Sequence, residues 1–294
     1  MTPEVEVLEG RQARIGALTV RRSLPTRGCR MVGAWCFVDH MGPQTITPDV
    51  SVDVAPHPHS GLQTVTWLLS GAFLHRDSLG SEQLIRPGEL NLMTAGRGVA
   101  HSEENPGITS GQLHGLQLWV AQPAGTREGG AIFEHHHALP QWESTNVAAT
   151  VLVGAHDSLE SPARRDSDHG GMELRLHGGE AVLPVRRDYE YGLVVADGVV
   201  EIEGRLVEPG QLAYLGLARD ELTLRTDGPA TAMLIGGIPF EERVFMWWNF
   251  VARSADEVSQ MWQDWATGDE RYGRVASSFA RIETDAPVWL NPSL

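Results

Sequence analysis

An all-β chain, built as two β-domains of similar plan with one short helix near the C-terminus, is what the sequence predicts. Three observations carry that reading. Glycine (32) and proline (17) punctuate short apolar runs along most of the 294 residues, the pattern of strands separated by turns. One motif recurs in each half of the chain, and helical periodicity is convincing only once, late in the sequence.

The strand-like runs include Thr64 to Leu69 before Gly71, Leu113 to Ala121, and Gly192 to Ala196 before Asp197 and Gly198. Short runs at this spacing argue for sandwiches or barrels rather than alternating βα units. The repeat pairs Arg86-Pro87-Gly88-Glu89-Leu90 with Glu208-Pro209-Gly210-Gln211-Leu212, and each copy follows a run ending in glycine, Gly71 or Gly198. The expected junction lies in the polar stretch from Asp157 to Gly171, whose Arg164 to His169 segment reads as a solvated surface loop. The expected domains are residues 1–150, with the N-terminal strands, and 151–294, with the helix. That helix starts with Ser254 and Glu257, a capping box for the first backbone N–H groups. Val258, Met261, Trp262 and Trp265 follow at i, i+3, i+4, i+7, and Gly268 supplies the stop.

Composition narrows the function. The chain carries 23 basic and 38 acidic residues, a net charge of −15, and every basic residue is arginine. Without lysine there is no phosphate-loop lysine and no Schiff base. The negative balance repels phosphate backbones, so direct nucleic-acid binding is not expected. Cys29 and Cys36 are the only cysteines, too few for a disulfide framework or a thiolate zinc site. The acidic start does not resemble a secretory signal, and no run approaches the roughly 18 apolar residues of a membrane span. The expectation is a soluble cytoplasmic monomer.

The densest chemical signal is Pro56-His57-Pro58-His59, followed 42 residues after His59 by His101-Ser102-Glu103. Side chains two apart on a strand share a face, so His57 pairs with His59, and His101 with Glu103. If the two strands face one interior, three imidazoles and a carboxylate converge. That donor set suits one divalent ion of iron, manganese, nickel, copper or zinc and leaves two positions open for substrate and dioxygen. Pro58 cannot donate to a central ladder, so its strand should be an edge or be bulged.

Three motifs in order make the chain resemble the pirin family: Ala55-Pro-His-Pro-His-Ser-Gly-Leu-Gln-Thr-Val-Thr-Trp-Leu-Leu-Ser-Gly71, Leu92-Met-Thr-Ala-Gly-Arg-Gly-Val-Ala-His-Ser-Glu103 and His114-Gly-Leu-Gln-Leu-Trp-Val120. Ile235 to Glu242 and Met246-Trp-Trp-Asn-Phe250 are similar to the pirin C-terminal region. The resemblance implies a bicupin, two jelly-roll-like cupin barrels in tandem, with one metal, usually Fe(II), in the first. It places the ligands on His57, His59, His101 and Glu103. It also implies dioxygenase activity on flavonols such as quercetin, with Glu103 as proton acceptor. The alternative it carries is an iron-containing, redox-responsive protein that binds a protein partner. Gln63 stands where many pirins have glutamate, which implies altered hydrogen bonding around the ligands.

The repeat places the second-half counterparts of the four ligands at Pro184, Arg186, Thr223 and Arg225, none of which can replace them, so a metal-free second barrel is expected. Trp67, Met93 and Trp119 are candidate walls for an aromatic substrate. His135-His136-His137 reads as a surface linker, and His40 and His75 as hydrogen-bonded structural histidines, with a place behind the ligands as the alternative.

Overall fold

Apolar side chains at every second position give a strand one face to bury, and the sequence supplies enough such strands to close two barrels. The computed structural model describes residues 4–16, 18–50 and 52–290. In the first barrel a seven-stranded sheet runs, in spatial order, Ile132–His136, Leu90–Thr94, Leu62–Ser70, Gly111–Ala121, Trp35–Ile46, Leu18–Leu24 and Arg11–Ile15. It faces a four-stranded sheet of Val54–His59, Val99–Glu104, Phe73–Asp77 and Glu82–Ile85. The second barrel repeats the plan. Its large sheet runs Glu6–Leu8, Leu212–Gly216, Glu190–Asp197, Ala230–Gly237, His169–Leu176, Val147–Val153 and Gln141–Ser144, and its small sheet Gly179–Pro184, Glu221–Thr226, Val200–Ile202 and Arg205–Val207. The protein is a bicupin.

One apolar cluster fills the second barrel, with Leu174, Leu183, Leu193, Leu215, Leu222 and Leu224 at its centre. Another joins the barrels: Val65, Trp67, Leu116 and Leu118 from the first pack with Leu152, Val194, Met233 and Ile235 from the second. Each such fully buried side chain contributes about 1.5–3 kcal/mol. At this seam the Trp35 indole N–H reaches the carbonyl oxygens of Gly170 and Gly236 at 3.1 and 3.2 Å. A Cβ on Gly171 would stand 2.9 Å from the Trp35 ring, so the close approach requires glycine there.

The chain ends do not stay with the halves that the sequence assigns to them. Glu6–Leu8 pairs with Leu212–Gly216 and so belongs to the second barrel's sheet. The C-terminal segment crosses back to the first barrel: Phe250 bridges Ser60, and the Val251 N–H donates to the Ser60 carbonyl at 3.0 Å. Gly61 has φ +71°, and a Cβ on it would lie 2.0 Å from the Val251 carbonyl oxygen, so only glycine admits this crossing. The predicted helix is present as Ala255–Thr267. Ser254 Oγ accepts from the Glu257 N–H, and Gly268 closes it in the left-handed conformation. Glu257 returns its carboxylate to the Arg253 N–H, one residue before the cap. Val258, Met261 and Trp265 bury against Ala100, Phe250 and Tyr272, on the outside of the first barrel's small sheet. Local repeats report neighbouring strand pairs, whereas these docking partners are far apart in sequence.

Two segments depart from expectation. Arg164 to His169 is packed rather than solvated: the Asp166 carboxylate accepts from Gln122 Nε2 at 2.8 Å, and His169 is buried edge-on against Trp35. His135 and His136 lie in a strand, Ile132–His136, at the edge of the large sheet rather than in a linker, with His135 Nδ1 2.8 Å from Asn91 Oδ1. Among the described residues no helix is long and apolar enough to cross a membrane.

Candidate metal centre

Val54–His59 and Val99–Glu104 pair antiparallel, with His57 opposite His101 and His59 opposite Val99. The alternation of the strands turns all three imidazoles to the barrel interior, where they are buried. Val54–His59 is the edge strand of its sheet, which tolerates Pro58, and the ladder shifts register between His101 and Glu103.

One nitrogen from each of His57, His59 and His101 falls within 4.8 Å of the others. His57 Nδ1 lies 2.9 Å from the Ala55 carbonyl and donates to it, which leaves Nε2 as a bare acceptor facing inward. His101 Nδ1 is 3.4 Å from His75 Nδ1, and His75 Nε2 is 3.1 Å from the Asp77 carboxylate. With the Asp77 carboxylate accepting from His75, His75 accepts from His101, and His101 Nε2 is bare as well. That Nε2 stands 3.1 Å from His59 Nε2. Either one ring donates a proton across that gap or a cation fills it. Two nitrogens bound to one ion at about 2.1 Å stand about 3.0–3.4 Å apart, so the spacing fits a shared metal.

The electrostatics agree. Burial pushes the His57 imidazole down to about 4, and burial reinforced by the neighbouring rings pushes His59 and His101 well below the ordinary value. All three are therefore neutral donors near pH 7, the form that binds a cation. Glu103 faces the same interior but stands outside the group of three. Thr66 Oγ1 lies 3.2 Å from its carboxylate and 3.0 Å from Gln117 Oε1, and burial raises the Glu103 carboxyl.

The cluster lies in a cavity of about 540 Å³ walled by Phe37, Trp119, Met246, Trp247 and Trp248. Phe37 and Trp119 stack at 3.8 Å, and Trp119 meets His59 edge-on. Of the three expected walls only Trp119 lines the cavity. Trp67 is part of the inter-barrel core, and Met93 packs with Ala95 and Val99. Gln63 does not reach the ligands: its amide donates to Thr94 Oγ1 at 2.9 Å, toward the seam. His40 is outside the cavity and lies 2.8 Å from His114, ring nitrogen to ring nitrogen. Sequence reasoning missed Phe37 and the Met246 to Trp248 wall, which arrive from distant segments. For His75 it put a structural role first and a place behind the ligands second; the structure has the second, with His75 between His101 and Asp77.

Residues 17–120 match the family described as pirin, and residues 171–271 match the pirin C-terminal cupin domain. A Pseudomonas aeruginosa protein provisionally named a quercetin 2,3-dioxygenase is 45% identical over 88% of this chain and 82% of its own length. A pirin-like protein of Caulobacter vibrioides is 37% identical over 89% of this chain and 93% of its own. The crystal structure of a quercetin 2,3-dioxygenase from Acinetobacter baumannii superposes with a TM-score of 0.93 at 38% identity, covering 96% of this chain and 95% of that one. A bacterial pirin from Escherichia coli, solved in complex with nickel(II), shares the fold at a TM-score of 0.62 and 19% identity, over 80% of this chain and all of its own.

Proposed function

This chain belongs to the pirin family, and from that membership and its buried histidine cluster we propose that it is a metal-dependent dioxygenase that opens the ring of flavonols such as quercetin. The observation that carries the reading is the convergence of His57, His59 and His101 in a cavity with aromatic walls. The names of the Pseudomonas relative and the Acinetobacter structure support it.

In this reading His57, His59 and His101 hold one divalent ion, iron(II) foremost, as neutral donors, with Glu103 as the fourth ligand. When bound, the ion supplies Lewis acidity toward the flavonol 3-hydroxyl and electrons for dioxygen chemistry. The Ala55 carbonyl and the Asp77–His75 pair keep the His57 and His101 rings in the tautomer that presents Nε2. Glu103 accepts the 3-hydroxyl proton. Burial raises its carboxyl in the metal-free cavity, and Thr66 orients it. Phe37, Trp119 and Trp247 bind the aromatic rings and exclude water from the reacting carbons. Ring opening consumes dioxygen and releases carbon monoxide.

The test is oxygen uptake by the iron-loaded protein with quercetin, together with loss of the flavonol absorption band and release of carbon monoxide. Glu103→Ala should lower the rate by about 10²–10⁴-fold even after metal is restored. Unchanged quercetin with the fully loaded protein would reject the reading. A cellular protein captured only in one iron oxidation state would then favour the partner-binding alternative.

A further inference from the structure

The cavity above the histidine cluster has a charge out of keeping with the chain. In a protein of net charge −15, Arg11, Arg14, Arg22 and Arg30 line this one cavity, and among the described residues the only carboxylate lining it is Glu103. Arg22 is already neutralised: its guanidinium makes two 2.7 Å bonds to the buried Asp39 carboxylate and lies 4.3 Å over the Phe37 ring. Arg11, Arg14 and Arg30 make no side-chain hydrogen bond or ion pair among the described residues; Arg11 has only a longer-range attraction to Asp39. The register sharpens the point, because Arg11 stands directly opposite Arg22 on the neighbouring strand. Asp39 offsets the Arg22 charge and attracts Arg11 only at longer range, so most of the positive charge of Arg11, Arg14 and Arg30 is left facing the opening. A concave opening with low-dielectric walls focuses such a field and concentrates anions.

We propose that the substrate of this cavity is an aromatic oxyanion, bearing a carboxylate or sulfate in addition to the hydroxyl that reaches the histidine cluster, with Arg11, Arg14 and Arg30 binding that anionic group at the mouth. The proposal rests on the dioxygenase reading for what happens at the hydroxyl. The anion recognition itself needs no chemistry. The aromatic body lies along Phe37, Trp119 and Trp247, and the arginines set its orientation, so uncharged quercetin is the weaker ligand.

The test compares naphthalene-2-carboxylate with naphthalene-2-carboxamide by titration calorimetry on the full metal-loaded chain. Neither compound carries a hydroxyl to oxidise, so this arm is read independently of turnover. The carboxylate should bind about five- to tenfold more tightly at low salt, as three exposed charge contacts allow. The advantage should shrink at about 0.5 M salt, where exposed charges are screened. R11Q/R14Q/R30Q should erase the preference and leave carboxamide binding intact, whereas R86Q/R187Q/R205Q, with the same change in net charge far from the cavity, should keep it. Equal affinities in the unmodified protein, no detectable carboxylate binding, or a preference that survives R11Q/R14Q/R30Q each overturn the proposal. A parallel arm measures oxygen uptake with quercetin and a quercetin sulfonate. If neither reacts while the carboxylate preference and its loss in R11Q/R14Q/R30Q stand, the anion site holds and the dioxygenase reading fails. If quercetin reacts while the carboxylate has no advantage, the reverse is true.

Discussion

The same pair of strands occurs in both barrels and is filled in opposite ways. In the first, the inward positions of Val54–His59 and Val99–Glu104 carry His57, His59 and His101. In the second, Gly179–Pro184 pairs with Glu221–Thr226, and the inward positions are Ala181, Leu183, Leu222 and Leu224. The counterparts assigned by the sequence repeat, Pro184, Thr223 and Arg225, lie on the other face of those strands, and Arg186 lies beyond the strand end. Burying imidazoles and a carboxylate is costly unless each finds a partner. The first barrel supplies them for His57, His101 and Glu103 in Ala55, His75, Asp77 and Thr66. The second needs none there, because the inward positions of these two strands are aliphatic. One barrel plan can thus serve either as a polar site or as a stable core, depending on about four side chains.

Four experiments would break or sharpen that contrast. The largest effect is expected in His101→Ala, which should lose about a hundredfold or more in metal affinity, beyond what loss of a supporting partner costs. Dialysed wild type should retain about one metal per chain on elemental analysis, and His136→Ala should match it. A full equivalent of metal in His101→Ala would remove these residues from the site. Next, Leu224→Ala in the second barrel should cost about 2–5 kcal/mol in urea unfolding, through the cavity it leaves. Metal per folded chain should stay the same, and a parallel loss of metal would dissolve the division of labour.

A smaller change is expected from Asp77→Asn. The asparagine Oδ1 can still accept from the Leu79 and Ser81 N–H groups, both at 2.9 Å in the wild type, so the turn survives. Its amide, however, presents a donor to His75 where a carboxylate accepted, which should weaken metal binding about tenfold in competition titrations. Smallest of all, chelation should lower the melting temperature by about a few degrees and leave the far-UV circular dichroism intact. A 294-residue chain with an apolar second core does not depend on a metal to fold. Loss of the β signal on chelation at room temperature would contradict this.

Much of the site was legible because strand geometry is local. The spacing in Pro56-His57-Pro58-His59 and in His101-Ser102-Glu103 needs only a period of two to place side chains on one face. The proline at position 58 likewise pointed to a sheet edge, where its strand lies. His75 was less legible, since its partner Asp77 is two residues away but its tie to His101 spans a strand pairing. The family pattern put Gln63 among the hydrogen bonds around the ligands, yet the chain turns at Gly61 and carries Gln63 toward the inter-barrel seam.

By itself the sequence determined the β architecture in two similar halves, the capped helix at Ala255–Thr267 and the inward pairing of the histidines. Each of these depends on propensity and periodicity over a few residues. Only the tertiary structure decided what surrounds those histidines. Phe37 and Trp119 come from one sheet, Met246 to Trp248 from a segment that crosses back after the second barrel, Arg11 and Arg14 from an edge strand, and Arg30 from the loop after Leu18–Leu24. Met246 to Trp248 reach the cavity because burying the Phe250, Met261 and Trp265 face holds the C-terminal segment against the first barrel. That driving force is non-directional and acts between residues almost 200 apart, so no local pattern records it.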